Sequence, residues 1–300
     1  MKRFALTIPR VLAAVLFTCL LNACQSDVSF ESGRGGETSD QSVDSGKSPL
    51  ADVDLSGRWG LRALLGGSTS VVITGMAVSL GLEIEVLILM DMKEQDGQYE
   101  ASYTVCDLAL NTQSDRGIRI ENTLSDAFIE SVKPFGSTWY VRDGALYSEP
   151  MIAFFGMVSP NDAPDLYVDP LTDPLPKPKE KDTDKRIIDQ DNDGNIGMTI
   201  HIDVSIPGLG SQKADLFVVM RQKLTMNGVL ESSDRGTGAI AWSMDMSTLD
   251  VGQKGTIFDV VSPKIKPSDD PEASRFEMAR VSETLSCAGL AELKGSLFSL

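Results

Sequence analysis

Histidine is almost missing from this chain: His201 is the only one in 300 residues. That excludes zinc sites built from several imidazoles, and no HExxH pattern is present. A Ser-His-Asp triad would have to use His201, and no GxSxG elbow supplies its serine. Positive charge is also scarce, with 27 Lys and Arg against 43 Asp and Glu and a net charge of -16. Such a body is repelled by nucleic acid and by anionic lipid. Neutral ligands, cationic partners and divalent metals remain open to it, and a solubilising role for the acidity is the plain alternative. No stretch reads as a membrane helix. The greasiest stretch, Val71 to Met90, carries Glu83, Glu85, Gly75 and Gly81, which predicts two strands broken near Gly81. A phosphate-cradling loop is lacking too: Gly208-Leu209-Gly210 follows Pro207 outside any strand–GxGxxG–helix context and predicts a hairpin turn.

What is present begins at the N-terminus. Lys2, Arg3 and Arg10 precede an apolar stretch of 11 residues, Val11 to Leu21, too short to span a bilayer. Leu21-Asn22-Ala23-Cys24 follows. This resembles the lipobox of bacterial lipoproteins, with Asn22 standing where a small residue is usual. The resemblance implies a signal peptide over 1–23, lipid on Cys24 and attachment to a membrane. Gln25, rather than Asp, after the cysteine implies the outer membrane, with the body periplasmic or surface-exposed. Cleavage by ordinary signal peptidase is the alternative, disfavoured by the bulk of Leu21. Loss of 1–23 leaves a mature net charge of -19. Of four cysteines, Cys19 leaves with the signal and Cys24 takes lipid. Cys106 and Cys287 remain for one disulfide in an oxidising compartment, or stand as two buried thiols.

Residues 24–54 are rich in Ser, Gly, Asp and Glu and read as a disordered tether reaching about 30 Å. From Leu55 onward the pattern is mainly β. Ile84, Val86, Ile88, Met90 and Met92 alternate with outward positions, as do Ile200 to Ile206 and Ile240 to Met246. Asp96-Gly97, Asp143-Gly144 and Asn227-Gly228 each predict a two-residue hairpin turn, because Asx-Gly supplies positive φ. An antiparallel barrel or sandwich follows, in two β-rich stretches, 55–158 and 187–300. Between them 159–186 carries six prolines and forms a long excursion or linker. Helix is minor, with Leu290–Leu300 and part of Asn122–Ser131 the best candidates.

The sharpest motif is Asp189-Gln190-Asp191-Asn192-Asp193-Gly194-Asn195-Ile196-Gly197. Carboxylates at loop positions 1, 3 and 5 converge on one hard cation, and glycine at position 6 permits the sharp turn. The segment resembles the DxDxDG calcium loops of EF-hands, dockerins and thrombospondin-type repeats. That resemblance implies Asp189, Asp191, Asp193 and the Asn195 carbonyl as ligands to a structural Ca2+. Position 12 is Ile200 rather than a bidentate Glu, so a further donor is expected from Asp182, Asp184, Glu231 or Asp234. An ion-free acidic turn is the alternative.

Glu83 and Glu85 share a strand face about 7 Å apart, a spacing that glycosidases use, although a solvated strand face explains them as well. Gly57-Arg58-Trp59 resembles the GxW of the first lipocalin strand, which implies a ligand-binding barrel; otherwise Trp59 closes one end of the core. The expected function is a membrane-anchored, non-enzymatic lipoprotein with a binding or structural role, stabilised by calcium. A lipocalin-like carrier of a small apolar ligand is the second expectation, and a carboxylate-based glycan hydrolase the third.

Overall fold

The computed structural model describes residues 53–73, 76–114, 117–208, 210–252 and 264–299. The signal segment, Cys24 and nearly all of the tether lie outside the described residues. The twelve strands among the described residues belong to one antiparallel sheet. Strands β1 (Gly57–Ile73), β2 (Met76–Gln95) and β3 (Gln98–Ser114) form a long meander. Then come β4 (Arg119–Leu124), helix α1 (Asp126–Ser131), β5 (Phe135–Arg142), β6 (Ala145–Ser148) and β7 (Met151–Phe155). After the proline-rich excursion follow β8 (Met198–Ile206), β9 (Gly210–Ser232), β10 (Arg235–Gly252), β11 (Lys266–Pro267), β12 (Ser274–Arg280) and helix α2 (Cys287–Leu297).

The pairing closes on itself. The order β10-β12-β1-β2-β3-β4-β8-β9 returns to β10 through the β9–β10 ladder, making a ring of eight strands. One edge of β9 is shared in turn by β8, β7 and β6, and one edge of β3 by β5 and β4. The predicted alternation governs which side chains enter the ring. Trp59, Leu61, Ala63 and Leu65 of β1 meet Ile84, Ile88, Met90 and Met92 of β2 in one buried cluster.

Opposite Leu87 and Ile88 the register of β3 slips, pairing them with Asp107 and Val105 and leaving Cys106 as an extra residue. Such a bulge reverses the alternation. Tyr99, Ala101 and Tyr103 pack into the core cluster before it, whereas Leu108, Leu110 and Thr112 line the interior after it. Cys106 thereby lies against α2 and joins Cys287 in a disulfide with Cα atoms 4.9 Å apart. Leu87 and Leu89, on the outer face of β2, are buried beneath Leu290 and Phe298. That cover, together with the core inside, accounts for apolar residues on both faces of this strand.

The Asp96-Gly97 and Asp143-Gly144 turns form as predicted, with φ of 54° and 80° in the first and 53° and 81° in the second. Two other expectations are corrected. Strand β2 runs through Gly81 without interruption, and the break lies between Ile73 and Met76, which pair with each other. Asn227-Gly228 is not a turn: β9 continues to Ser232, and Ser232 pairs with Arg235 across the actual reversal. Gly228 serves close approach instead. A Cβ there would lie 2.1 Å from the Thr237 carbonyl oxygen and 2.9 Å from the Phe276 ring.

The excursion packs on the outside of β9 and β10. Arg221 donates to the Pro170 and Asp173 carbonyls at 3.0 and 2.9 Å, and Ser247 Oγ donates to the Pro176 carbonyl at 2.6 Å. Beneath it Met157, Val219 and Leu249 form a small outer core.

Candidate functional site

The interior of the ring is filled at one end and hollow at the other. The filled end is aromatic: Trp59, Tyr103, Trp139 and Phe276 are each buried to 1% exposure or less. Their polar atoms are satisfied. Trp59 Nε1 donates to the Leu55 carbonyl at 2.8 Å, Trp139 Nε1 donates to Tyr103 Oη, and that hydroxyl meets Ser137 Oγ at 2.8 Å. Burial pushes the Tyr103 phenol up to about 12, so it stays neutral. The Arg280 guanidinium lies 4.5 Å from the Trp59 ring centroid and closes this end with a cation–π contact. Trp59 thus takes the core position expected of it.

The other end encloses a cavity of about 160 Å³ with almost wholly apolar walls. Its lining follows from the same period-two pattern. Leu80, Leu82 and Ile84 come from β2, Leu108 and Leu110 from β3, and Ile200, Ile202 and Val204 from β8. Leu216 and Met220 of β9 and Met244 and Met246 of β10 complete the wall. Phe128 of α1 is 1% exposed and reaches Phe155 with ring centroids 5.9 Å apart, and both rings border the cavity. Ser125 fixes α1 by accepting the Phe128 amide hydrogen at 3.0 Å. Polar groups on the wall are few and uncharged: Thr69, Ser70, Thr112, Asn122 and Gln222. Asn122 donates to Thr112 Oγ1 at 2.6 Å, and Thr69 Oγ1 donates to the Lys264 carbonyl at 3.0 Å.

The acidic loop sits at the start of β8. Asp189, Asp191 and Asp193 each place a carboxylate oxygen within 4.8 Å of the others. Two oxygens on one Ca2+ lie no further apart than about 5 Å, twice the usual bond length, so the spacing suits a shared cation. Gly194 has φ of 86°, as the sixth loop position requires. Asp189 closes the turn, accepting the Asp193 and Gly194 amide hydrogens at 3.2 and 3.0 Å. Asp191 is 4% exposed; its Oδ2 accepts the Thr199 amide hydrogen at 2.9 Å, while Oδ1 is buried with no hydrogen-bond partner. Burial raises the Asp191 carboxyl above its ordinary range, and the neighbouring Asp193 charge adds to this against the Thr199 hydrogen bond. Burial also pushes Asp193 upward, yet hydrogen bonds from Thr199 Oγ1 and Asn195 outweigh it and leave that carboxyl lowered. An orphaned, desolvated carboxylate oxygen beside two further carboxylates is what a bound divalent cation would relieve.

The additional donors expected from elsewhere do not join this cluster. Asp184 pairs with Arg186 at 2.7 Å, Asp234 with Arg280 at 3.2 Å, and Glu231 accepts from Thr237 at 3.1 Å. The acids that converge among the described residues are Asp189, Asp191 and Asp193. Glu85 is occupied as well, by Arg62 at 2.5 Å and Lys294 at 2.6 Å. Burial alone would raise its carboxyl, but the two cations overcome that and hold it below the usual glutamate range. A glycosidase acid needs the opposite shift. His201 Nδ1 meets Asp215 Oδ1 at 2.7 Å on an exposed strand face. The polar wall residue Gln222 was missed in the sequence, since its alternation with Met220 and Leu224 on β9 is the one signal that points it inward. No family model, no curated protein and no solved structure matches the chain.

Proposed function

We propose that this is an exported, lipid-anchored binding protein that holds one small apolar ligand in the hollow end of its β ring. The cavity carries this reading. A space of about 160 Å³ bounded by Leu, Ile, Met and Phe side chains is comparable to engineered apolar cavities of about 150 Å³ that take up benzene. Transfer of an apolar molecule from water into such walls is favourable in proportion to the area removed from water. The filled aromatic end makes the ring a cup rather than a channel. Lipid attachment at Cys24 and an outer-membrane address rest on the resemblance of Leu21 to Cys24 to a lipobox. A calcium ion held by Asp189, Asp191, Asp193 and the Asn195 carbonyl belongs to the same proposal as a brace for the edge of the cup.

The test is methyl NMR on the mature chain, from residue 24 onward, carrying Cys24→Ser so that no acyl group of its own competes. Methionine methyls are labelled and 1-hexanol is titrated. Met198, Met220, Met244 and Met246 line the cavity and should shift saturably, whereas Met278 at the filled end should not. Unmoved cavity methyls would remove the ligand-binding reading.

A further inference from the structure

Resting on the ligand-binding reading of this cavity, we infer that Gln222 is its polar anchor and selects a slender, uncharged amphiphile with one hydrogen-bonding group. Gln222 lies on β9 in the inward row between Met220 and Leu224, opposite Met244 of β10 and Ala153 of β7. It is 8% exposed and borders the cavity. Of the other polar wall residues, half-buried Asn122 donates to Thr112 and buried Thr69 donates to the Lys264 carbonyl. No side-chain hydrogen bond engages the Gln222 carboxamide among the described residues, and its polar atoms are not among the fully buried, unpaired ones, as fits a group that borders the cavity space.

An amide turned to apolar cavity walls without a protein partner is unfavourable. A leucine in the same inward row would fill similar volume without that cost. The carboxamide becomes favourable when a ligand supplies a complementary group, because it both donates and accepts. Among the described residues no charged side chain borders the cavity, so an ionised carboxylate or ammonium would enter unpaired, at far greater cost than a hydroxyl, ester or amide. The apolar lining accepts a hydrocarbon body. Together these features define the ligand as a short neutral chain with a single polar function placed near Gln222.

The experiment measures dissociation constants for 1-hexanol and 1-chlorohexane, two chains of equal length, one of which lacks the hydroxyl. The titrations use the methionine methyls of the mature Cys24→Ser chain, with Gln222→Leu and Gln222→Met compared in the same background. Comparing the ratio of the two constants between parent and variant cancels the intrinsic hydrophobicity of the ligands. On Gln222→Leu that ratio should move about tenfold toward 1-chlorohexane, the value of one hydrogen bond, and hexanoate should bind at least tenfold more weakly than 1-hexanol to the parent chain. Gln222→Met keeps the assay usable if the leucine variant folds poorly. If both ligands bind and the ratio is the same in parent and variants, Gln222 is a bystander and this inference falls while ligand binding stands. If neither ligand binds the parent chain, both fall.

Discussion

The carboxyl of Asp191 accepts the amide hydrogen of Thr199 through one oxygen, at 2.9 Å, and leaves the other buried and unpaired. Thr199 lies between Met198 and Ile200, both on the cavity wall. The acidic loop is therefore wired to the strand that forms one side of the cup. Calcium should raise the melting temperature of the mature chain. Saturation at about one hundred times Kd is worth about 2.7 kcal/mol, or about 5–10 °C for a body of this size. Asp191→Asn should abolish the calcium effect while leaving the calcium-free melting temperature equal or higher, since it removes a desolvated charge. Calorimetry with and without calcium decides this; an unmoved melting temperature in the parent chain would reduce the loop to a turn.

Cys106 and Cys287 close a loop of 181 residues. In the chain-entropy model such a link stabilises by at most about 5 kcal/mol. A double Cys106→Ser, Cys287→Ser variant should unfold at lower denaturant, by about 2–5 kcal/mol. Amide exchange should show α2 losing protection ahead of the ring. Equal denaturation midpoints would mean the link is mechanically idle.

Glu85 ties β1, β2 and α2 together through Arg62 and Lys294. Its carboxyl is lowered from an ordinary value of 4.5. A depressed folded-state value stabilises the fold above the unfolded value, and that stabilisation is lost as pH falls through the folded value. Glu85→Gln should therefore be less stable than the parent at pH 7, by about 1–2 kcal/mol for the charged hydrogen bonds removed. The gap should close on acidification below 4.5. A gap independent of pH would show that packing, not charge, is what the substitution disturbs.

Asn227 pairs with Ala239 on one side and Tyr147 on the other, well inside β9. Thr is favoured over Asn in a strand by up to about 1 kcal/mol, and it is strained where positive φ is required. Asn227→Thr should thus be neutral or stabilising in thermal denaturation. A clear loss would restore the hairpin turn that the Asn-Gly pair suggests.

Much of this architecture was legible in residue order, because period-two alternation survives wherever one face is wet or differently packed. Ile84 to Met92, Ile200 to Ile206 and Ile240 to Met246 all point inward as their spacing implies. The two Asp-Gly hairpins were legible for the same local reason. Gly81 and Gly228 misled because glycine marks either a reversal or a close approach, and only the neighbouring strand tells which. Near Gly228 that neighbour is Thr237 on β10. The acidic loop could be read from its spacing, but the desolvation of Asp191 depends on contacts made by β8. The cavity was the least legible feature. Whether inward rows touch or leave space between them depends on the circumference of the ring, and no local pattern encodes that.

The extra residue at Cys106 gives β3 two phases, odd inward before it and even inward after it. The floor of the cup and its hollow are thus keyed to opposite parity of one continuous strand. Substitutions at Leu108 or Leu110 can resize the compartment without touching the positions that seat Tyr103 and Ala101. Deleting Cys106 would make the ladder regular, with Val105 and Asp107 consecutive opposite Ile88 and Leu87, so Leu108, Leu110 and Thr112 would stay inward and only the covalent strap would be lost. The same kink that permits this modularity turns a sulfur toward the helix, so the switch in parity and the covalent strap occupy one position.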